Sequence, residues 1–223
     1  MKNDINIGLY IGDGSSEKGI KQFIKNISLS KHSIIKLSSS DILNKDLSMF
    51  DVLAFTGGSG SKQALSLTHE GRIKVKNYIE KGGKYLGICA GAYLATTGFD
   101  WSLGVIDVET ISQIEWERGK GLVTLSVTTE GHKMFDSFPD SFEIRYANGP
   151  ILKKSHMAGL RDYTVIASYS TEISENGVAP EVMKDTPAII LGDYGKGKVC
   201  IIGPHAEYTS GLEYVLLEII ETI

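Results

Sequence analysis

Residues 84–92 of the sequence read Lys84-Tyr85-Leu86-Gly87-Ile88-Cys89-Ala90-Gly91-Ala92. The apolar run Tyr85–Ile88 predicts a buried strand, and the residues from Ala90 to about Thr97 predict a helix. Cys89 therefore stands between a strand and a helix, in a Gly-x-nucleophile-x-Gly frame that is typical of a sharp, strained turn. Such a turn projects its side chain at the carboxyl end of a sheet, where α/β proteins place their functional sites.

The position of Cys89 favours nucleophilic chemistry. A helix N-terminus favours the thiolate over the thiol, and the thiolate is the attacking species. The next amide, Ala90 N–H, would point to the place where a tetrahedral oxyanion forms. The alternative is that Cys89 is a small buried hydrophobe, as most free cysteines are. Cys200, by contrast, lies within the apolar run Val199–Ile202, and we interpret it as a core residue.

A histidine follows another strongly apolar strand, in the segment Gly203-Pro204-His205-Ala206-Glu207. At the carboxyl end of a strand, His205 would reach the same rim of the sheet as Cys89. Glu207, two positions later, would orient the imidazole by a hydrogen bond, which is the base-and-orienter arrangement of a catalytic triad. The alternative is a surface histidine beside a proline turn.

Two glycine-containing segments also follow predicted strands. In Thr56–Ser59, the backbone N–H of Gly57 or Gly58 would supply a second oxyanion donor, and the alternative is a simple turn. Gly12 and Ser15 belong to a turn after the first strand, on the same rim, where they would contact a ligand. The alternative for this turn is that its serines cap the following helix.

The first half of the sequence alternates between strand and helix patterns. In order, the predicted elements are the strand Ile5–Ile11, the helix Glu17–Ile27, the strands Ser33–Leu37 and Asp51–Phe55, the helix His69–Glu80, which ends at Gly82-Gly83, and the strand and helix that flank Cys89. This alternation predicts an α/β fold with a mostly parallel central sheet that helices flank on both faces.

The second half is richer in strands. The segments Val108–Glu117 and Leu122–Thr129 predict a hairpin around Gly119-Lys120-Gly121. Further predicted elements are the strands Glu143–Ala147 and Tyr163–Tyr169, a hairpin of Ala188–Leu191 with Lys198–Ile202, and a helix over Ser210–Ile220. Because no repeat or linker interrupts the sequence, we expect residues 1–223 to form a single domain.

Composition excludes several classes of protein. With 42% hydrophobic and 22% charged residues, the sequence has the profile of a globular protein. Its net charge of −4 is spread along the chain without a basic stripe, so we expect no nucleic-acid partner. No run reaches the roughly 18 apolar residues of a membrane span. Two cysteines make no disulfide framework, and the N-terminus lacks the pattern of a signal peptide, so we expect a cytoplasmic protein. The histidines show no metal-ligand spacing, and we expect neither a metal nor a cofactor.

Four stretches resemble the glutamine-amidotransferase-like superfamily with a Cys-His-Glu triad, and specifically the biotin-protein ligase N-terminal domain family. They are Thr56–Ser59, Lys81–Tyr93, Tyr146–Pro150 and Gly195–Glu207. These stretches span most of the chain in the expected order. The resemblance implies a flavodoxin-like, class I glutamine-amidotransferase-like fold with an inserted β-rich segment.

The resemblance also implies roles for particular residues. Cys89 is the nucleophile, His205 the base and Glu207 the orienting acid, while Tyr146 and Asn148 line the cleft. The association of this family with biotin ligase chains implies a functional link to biotin ligase.

One departure from the superfamily pattern concerns the substrate. Glutaminase members usually continue with Gly-His-Gln after the nucleophile, whereas this sequence has Gly91-Ala92-Tyr93. Tyr93 fills space near the substrate and offers a single hydroxyl in place of an amide that both donates and accepts. Two functions remain open: a hydrolase or amidotransferase that acts on an amide C–N bond of a small or peptide-like substrate, and a ligand-binding or regulatory module without turnover. The oligomeric state is not predicted.

Overall fold

The computed structural model describes residues 4–223. Within this range the chain forms the strands β1 (Asn6–Tyr10), β2 (Ser33–Leu37), β3 (Val52–Phe55), β4 (Lys84–Ile88), β5 (Val108–Thr110), β6 (Lys120–Val127), β7 (Ser141–Ala147), β8 (Leu152–Lys154), β9 (Tyr163–Tyr169), β10 (Pro187–Tyr194) and β11 (Gly197–Ile202). The helices are α1 (Glu17–Ile27), α2 (Ser39–Asn44), α3 (Gly60–Glu80), α4 (Ala90–Ala95), α5 (Thr129–Met134) and α6 (Glu213–Thr222). Short 3₁₀ turns cover Leu47–Met49 and Ala206–Tyr208.

The main sheet has the strand order β2-β1-β3-β4-β11-β10-β9-β6-β7, and β5 pairs with β8 in a separate two-stranded sheet. Strands β2, β1, β3, β4 and β11 pair in parallel, whereas the pairings from β11 through β7 are antiparallel. The parallel half has the 2-1-3-4-5 order of flavodoxin-like folds, with β11 as the fifth strand. The predicted α/β fold with an added β-rich segment is confirmed.

The parallel strands β1, β3, β4 and β11 are largely buried on both faces because helices cover both sides of the sheet, whereas the edge strand β2 is mostly exposed. Every residue of β3 is buried, in accord with its unbroken apolar sequence. Alternate strand positions face two separate hydrophobic clusters, so that Ile7 packs in one and Tyr10 in the other. Helix α1 covers the first cluster with Phe23 and Ile27, which lie four residues apart on one helical face.

Three parallel strands end together at one edge of the sheet. In the register of β3, β4 and β11, Phe55 pairs with Gly87, and Ile88 pairs with Ile202. The amide of Cys89 continues this ladder and donates to Ile202 O at 2.9 Å. The segments that follow these strands therefore emerge side by side, and they carry the predicted site residues.

The predicted hairpin between Val108–Glu117 and Leu122–Thr129 is wrong. Strand β5 ends at Thr110 and pairs with β8, and residues 111–119 contain no regular strand or helix. A segment rich in β-favouring residues makes a strand only where a neighbouring strand offers its edge, and the edge available to β5 is only three residues long. The rest of the segment leaves the sheet and borders a cavity described below.

The turn before β6 also differs from the predicted one. Lys120 and Gly121, expected in the turn, belong to β6, which pairs with β7 and β9. Gly119 makes the turn with a φ of 122°, and its amide donates to Asn148 Oδ1 at 2.8 Å. Only glycine adopts this φ readily, so the position of the turn follows from Gly119 rather than from the glycine pair.

Other differences concern element boundaries. The predicted helix His69–Glu80 is the second part of α3, which starts earlier and is interrupted by non-helical backbone at Thr68. The φ of 118° at Gly82 fits the predicted glycine termination of that helix. Helix α4, expected to reach about Thr97, ends at Ala95. Helices α2 and α5 are not predicted from the sequence, because six residues are too few to show a helical period.

The antiparallel half of the sheet curves so that the end of β7 returns to the end of β11. His205, just after β11, donates its amide to Arg145 O in β7 at 2.7 Å. A Cβ added at Gly149 would lie 2.0 Å from Gly203 O, so only glycine allows the two backbones to approach this closely. Strand β7 thereby closes one side of the site, although four strands separate it from β4 in the sheet order.

Candidate active site

Cys89 lies on a strained turn between β4 and α4. Its φ of 49° and ψ of −96° are costly for a residue with a side chain. The flanking glycines make room for the turn: a Cβ at Gly91 would lie 2.2 Å from Phe55 O, and one at Gly87 would lie 2.5 Å from Gly91 O. The Gly-x-Cys-x-Gly sequence is therefore required by this backbone path, which has the form of a nucleophile elbow.

The two cysteines have different environments. Cys89 Sγ contributes to the wall of a cavity, and it donates weakly to Ala147 O at the end of β7, 3.7 Å away. Cys200 is fully buried in the core, as predicted, and burial raises its pKa to about 12. At neutral pH, Cys200 is therefore a protonated, enclosed thiol, and Cys89 is the thiol that faces a cavity.

His205 and Glu207 form a buried pair beside Cys89. The imidazole Nδ1 lies 2.8 Å from Glu207 Oε1, and both side chains are almost fully enclosed, with 5% and 1% exposure. The ring of Tyr208 packs edge-on against the imidazole at 5.1 Å between centroids. Asn26 Nδ2 donates to the backbone carbonyl of Glu207 at 3.2 Å. These contacts hold the imidazole in one orientation.

The surroundings of His205 favour its charged form. Burial by itself lowers the pKa of His205, but the charge and hydrogen bonding of the neighbouring Cys89 sulfur, together with the Glu207 carboxylate, raise it to about 10. The second carboxylate oxygen, Glu207 Oε2, has no hydrogen-bond partner within residues 4–223. With Cys89 ionised, these neighbours favour the imidazolium form of His205 at neutral pH.

Three backbone amides are candidates for contact with a group bound at Cys89, because Ala90 follows Cys89 directly and Gly57 and Gly58 line the same cavity. Among the described residues, no hydrogen bond uses the N–H of Gly57, Gly58 or Ala90. Ser16 N donates to Gly57 O at 2.8 Å and fixes the loop that carries the two glycines. A Cβ at Gly57 would lie 2.7 Å from His205 Cε1, so this loop packs directly on the imidazole.

A cavity of about 640 Å³ opens in front of Cys89 and His205. The glycine loop forms one side, and Ala147 and Asn148 at the end of β7 form another. The remaining side chains of the wall are mostly aromatic or basic. The aromatic ones are Tyr93, Phe99, Trp101, Trp116 and Tyr208, and the basic ones are Lys18, Lys120 and Arg145.

The residues predicted to bind substrate near the nucleophile divide into two groups. Tyr93 and Asn148 line the cavity, and the Tyr93 hydroxyl donates to Asn148 O at 3.2 Å. Tyr146 is fully buried, and its hydroxyl donates to a backbone carbonyl at 2.8 Å, so it supports the wall from behind. Burial raises the pKa of both phenols, which keeps them neutral.

The turn after β1 lies beside the cavity. Neither Gly12 nor Ser15 forms part of the wall, whereas Ser16 does. Ser16 Oγ accepts from Gly19 N at 3.3 Å and caps α1, while Ser15 Oγ accepts from Gln63 Nε2 at 3.3 Å. The capping role that the sequence left open is thus present, Ser15 pairs with Gly58 of the glycine loop, and Gly12 O accepts from Ser15 N at 3.1 Å.

Two buried polar residues near the site were missed in the sequence. Asn26 donates a hydrogen bond to the backbone carbonyl of Glu207, and Gln63, which is also buried, donates to Thr56 O at 2.9 Å. The signal for Asn26 was available, because it occupies a core position of α1 between Phe23 and Ile27. An amide on the apolar face of a helix needs a hydrogen-bond partner, and that partner is often at a functional site.

The aromatic and basic residues of the cavity were missed as well. Lys18, Trp101, Trp116, Lys120 and Arg145 come from separate segments, and their local sequences show no common pattern. Their assembly depends on the curvature of the antiparallel sheet and on the irregular path of residues 111–119. No local signal could have brought them together.

Residues 4–223 contain neither a metal-binding cluster nor a helix that could cross a membrane. No group of three or more His, Cys, Asp or Glu side chains in that range is arranged to hold a metal ion. Nor does any helix there combine the length and apolar character that crossing a bilayer requires.

The sequence matches the family model described as "Biotin-protein ligase, N terminal" over residues 5–115 and 113–218. These two segments include every residue of the candidate site. No curated protein is a significant match.

Solved structures with the same fold include two Salmonella typhimurium proteins described as cytoplasmic. The first has a TM-score of 0.66 and 12% identity, covering 98% of each chain. The second has a TM-score of 0.64 and 15% identity, covering 97% of this chain and 99% of its own. A Thermoplasma acidophilum protein whose description names GMP synthase has a TM-score of 0.62 and 15% identity over 98% of this chain and 93% of its own. At these identities the likeness concerns the fold, which is that of glutamine-amidotransferase-like proteins.

Proposed function

We propose that this chain, which belongs to the biotin-protein ligase N-terminal family, is a cysteine-dependent hydrolase or amidotransferase that acts on an amide C–N bond. The observation that carries this proposal is the position of Cys89 on a strained elbow at the cavity wall, beside an imidazole that Glu207 holds at 2.8 Å. A cysteine that served only the core would need neither a costly backbone conformation nor a buried charged partner.

In the first half of the proposed reaction, the Cys89 thiolate attacks the carbonyl carbon of the amide. The carbonyl π electrons move to oxygen, and the amides of Ala90 and Gly58 donate to the resulting oxyanion. When the oxyanion collapses, the C–N bond breaks, and the His205 imidazolium gives its proton to the departing nitrogen. A thioester on Cys89 and a free amine result.

In the second half, the neutral imidazole of His205 accepts a proton from water or from an acceptor amine. The activated nucleophile attacks the thioester carbonyl, and the C–S bond breaks to restore the thiolate. Water yields a carboxylic acid, and an amine yields a new amide. Glu207 remains ionised throughout and stabilises each imidazolium that forms.

Tyr93 argues against free glutamine as the substrate. It occupies the position at which glutaminases of this superfamily carry a glutamine, and its hydroxyl already donates to Asn148 O. A phenol used in this way cannot both donate to and accept from a substrate side-chain amide. We therefore propose a small or peptide-like amide other than glutamine.

The two free cysteines and the similar solved structures support a cytoplasmic setting for the proposed reaction. Both cysteines are free thiols, which suits a reducing compartment, and the two similar Salmonella proteins are described as cytoplasmic. We therefore place the activity in the cytoplasm. The family name suggests that its substrate or product is connected with biotin ligase.

The direct test is alkylation of the native protein with iodoacetamide at pH 7, followed by peptide mass spectrometry. We expect a single adduct at Cys89, formed about tenfold or more faster than on the thiol of glutathione. His205→Asn should slow the reaction about tenfold or more, and His69→Asn, a substitution of the same type at an exposed position, should leave it unchanged. Labelling confined to Cys200, or no labelling at all, would reject the proposal.

A ligand-binding or regulatory module is the second candidate, and the presence of Tyr93 in place of a glutamine is the observation that favours it. A thermal-shift screen over glutamine, biotin, biotinyl-AMP and short peptides, with product analysis of every mixture, separates the two functions. A ligand that raises Tm and remains intact indicates binding alone. Time-dependent loss of the ligand, abolished in Cys89→Ser, indicates catalysis, because nothing else in the described cavity wall replaces the nucleophile.

A further inference from the structure

The wall of the catalytic cavity carries three cations that find no carboxylate partner among the described residues. Lys18, Lys120 and Arg145 all line it, and no Asp or Glu side chain does so within residues 4–223. The ion pairs in that part of the chain involve other lysines, arginines and histidines. The Lys18 ammonium lies 5.3 Å from the ring of Tyr208, the residue that packs on His205.

The sheet register brings two of these cations together. In the β6–β7 pairing, Lys120 lies opposite Ala147 and Leu122 lies opposite Arg145. Lys120 and Arg145 are therefore diagonal neighbours on one face of the sheet, at a spacing of about 7–8 Å. Like charges at this spacing repel each other, and an anion that lies between them would relieve the repulsion.

An aromatic surface adjoins the basic one. Phe99 and Trp101 are stacked, with ring centroids 4.5 Å apart and an interplanar angle of 16°. Tyr93 extends this surface at a centroid distance of 6.2 Å from Phe99. Trp116, which is 47% exposed, adds an indole from the irregular segment 111–119. The cavity thus offers flat apolar contacts on one side and positive charge on another.

We propose that the amide cleaved at Cys89 is an anion. In this proposal a carboxylate or phosphate group lies between Lys120, Arg145 and Lys18, and a flat or apolar part of the same molecule packs on the Phe99–Trp101 stack. This inference rests on the proposed function, since it concerns the substrate of the same thiol. Neutral amides of the same shape would lack the attraction of all three cations and would therefore react more slowly than the anion.

The test compares two alkylating agents that differ in charge. Iodoacetate is an anion and iodoacetamide is neutral. The rate constant of Cys89 with iodoacetate, divided by its rate constant with iodoacetamide, therefore measures the electrostatic potential in the cavity. This ratio is divided by the same ratio for glutathione at equal pH and ionic strength. In wild-type protein we expect a normalised ratio of about five or more, because each cation should raise the rate of the anionic reagent roughly two- to fivefold at the distances within the cavity. The ratio should fall as salt is raised, because salt screens this attraction.

Charge-removing variants assign the effect to the cavity. Arg145→Gln and Lys120→Gln should each lower the ratio about two- to fivefold, and Lys36→Gln, an exposed lysine on β2 outside the cavity, should not change it. A substitution that merely disturbs the Cys89–His205 pair slows both reagents and leaves the ratio unchanged. Protection from iodoacetate by inorganic phosphate indicates a phosphate-bearing substrate, and stronger protection by acetate indicates a carboxylate.

The two proposals fail in different ways. If Cys89 reacts with both reagents at a normalised ratio near unity that salt and the Gln variants do not alter, the anionic substrate is refuted while the nucleophile stands. If Cys89 reacts with neither reagent, the proposed catalysis is refuted, and the substrate inference is refuted with it.

Discussion

Gly57→Ala is expected to slow alkylation of Cys89 by iodoacetamide about ten- to a hundredfold without unfolding the protein. Gly57 lies on the loop that covers His205, and within the described chain it is not among the residues with positive φ, so alanine can adopt its backbone conformation. The substitution therefore acts through the contact that the new methyl group makes. That contact is with the imidazole.

The magnitude follows from the distances around the imidazole. A Cβ at Gly57 would lie 2.7 Å from His205 Cε1, whereas ordinary contact begins at 3.4 Å, so the ring must retreat by about 0.7 Å. Glu207 at 2.8 Å and the Tyr208 ring oppose this movement from other sides. A displacement of about 1 Å in a catalytic arrangement costs about a hundredfold in rate, which is about 2.7 kcal/mol of activation free energy.

The assay is the second-order rate constant for labelling of Cys89 at pH 7, measured with a matched glycine substitution. A Cβ at Gly19 would meet its nearest neighbours, Thr56 Oγ1 and Tyr208 OH, at 3.5 Å, which is ordinary contact. Gly19→Ala in helix α1 should raise stability by about 0.5–1 kcal/mol and leave labelling unchanged. Wild-type labelling in a folded Gly57→Ala variant would show that His205 does not control the thiol.

Two further predictions concern the His205–Glu207 pair and the closure of the sheet. In Glu207→Gln the pKa of His205, followed by NMR of its ring, should fall below the wild-type value of about 10, because one of the groups that raise it is neutralised. Because folding raises this pKa from 6.5, the stability that the imidazolium contributes is complete below about pH 6.5 and is lost as pH rises through 10. Urea denaturation should therefore show that the free energy of unfolding falls less between pH 7 and 10 in the variant than in the wild-type protein. Gly149→Ala should lower the stability by roughly 1–3 kcal/mol and Tm by several degrees in circular dichroism melts, because its Cβ would lie 2.0 Å from Gly203 O. An unchanged Tm would mean that the two backbones can separate there without cost.

The local structure around Cys89 and His205 is predicted correctly from the sequence because it has a local physical cause. Strand β4, the turn at Cys89 and the start of α4 follow from an apolar run and from two glycines that the backbone path requires. The placement of His205 after β11 follows in the same way from an apolar strand and a proline turn. Parallel strands end at a common edge, so these local features also imply that the two side chains are neighbours.

The prediction was wrong where the outcome depended on competition between strand partners. Residues 111–117 were expected to continue a β-rich strand, but β5 finds its partner in β8, and Gly119 turns the chain before β6. Tyr146 and Asn148 illustrate the same point at the scale of single residues. They are two positions apart, yet Tyr146 is buried behind the wall and Asn148 contributes to it, since β7 ends at Ala147 and the backbone then changes direction.

By itself, the sequence determines an α/β chain that presents a cysteine, a histidine and a glutamate at one edge of a parallel sheet, because strand-ending glycines and apolar runs act over a few residues. Only the tertiary structure decides that Arg145 and Ala147 approach these groups. The curvature that accumulates over the antiparallel pairings between β11 and β7 brings these residues close to the site. The backbones of Gly149 and Gly203 are in contact where the sheet closes. Small rotations between strands accumulate over the sheet and leave no mark in any short segment, so the charge and shape of the cavity are properties of the folded molecule.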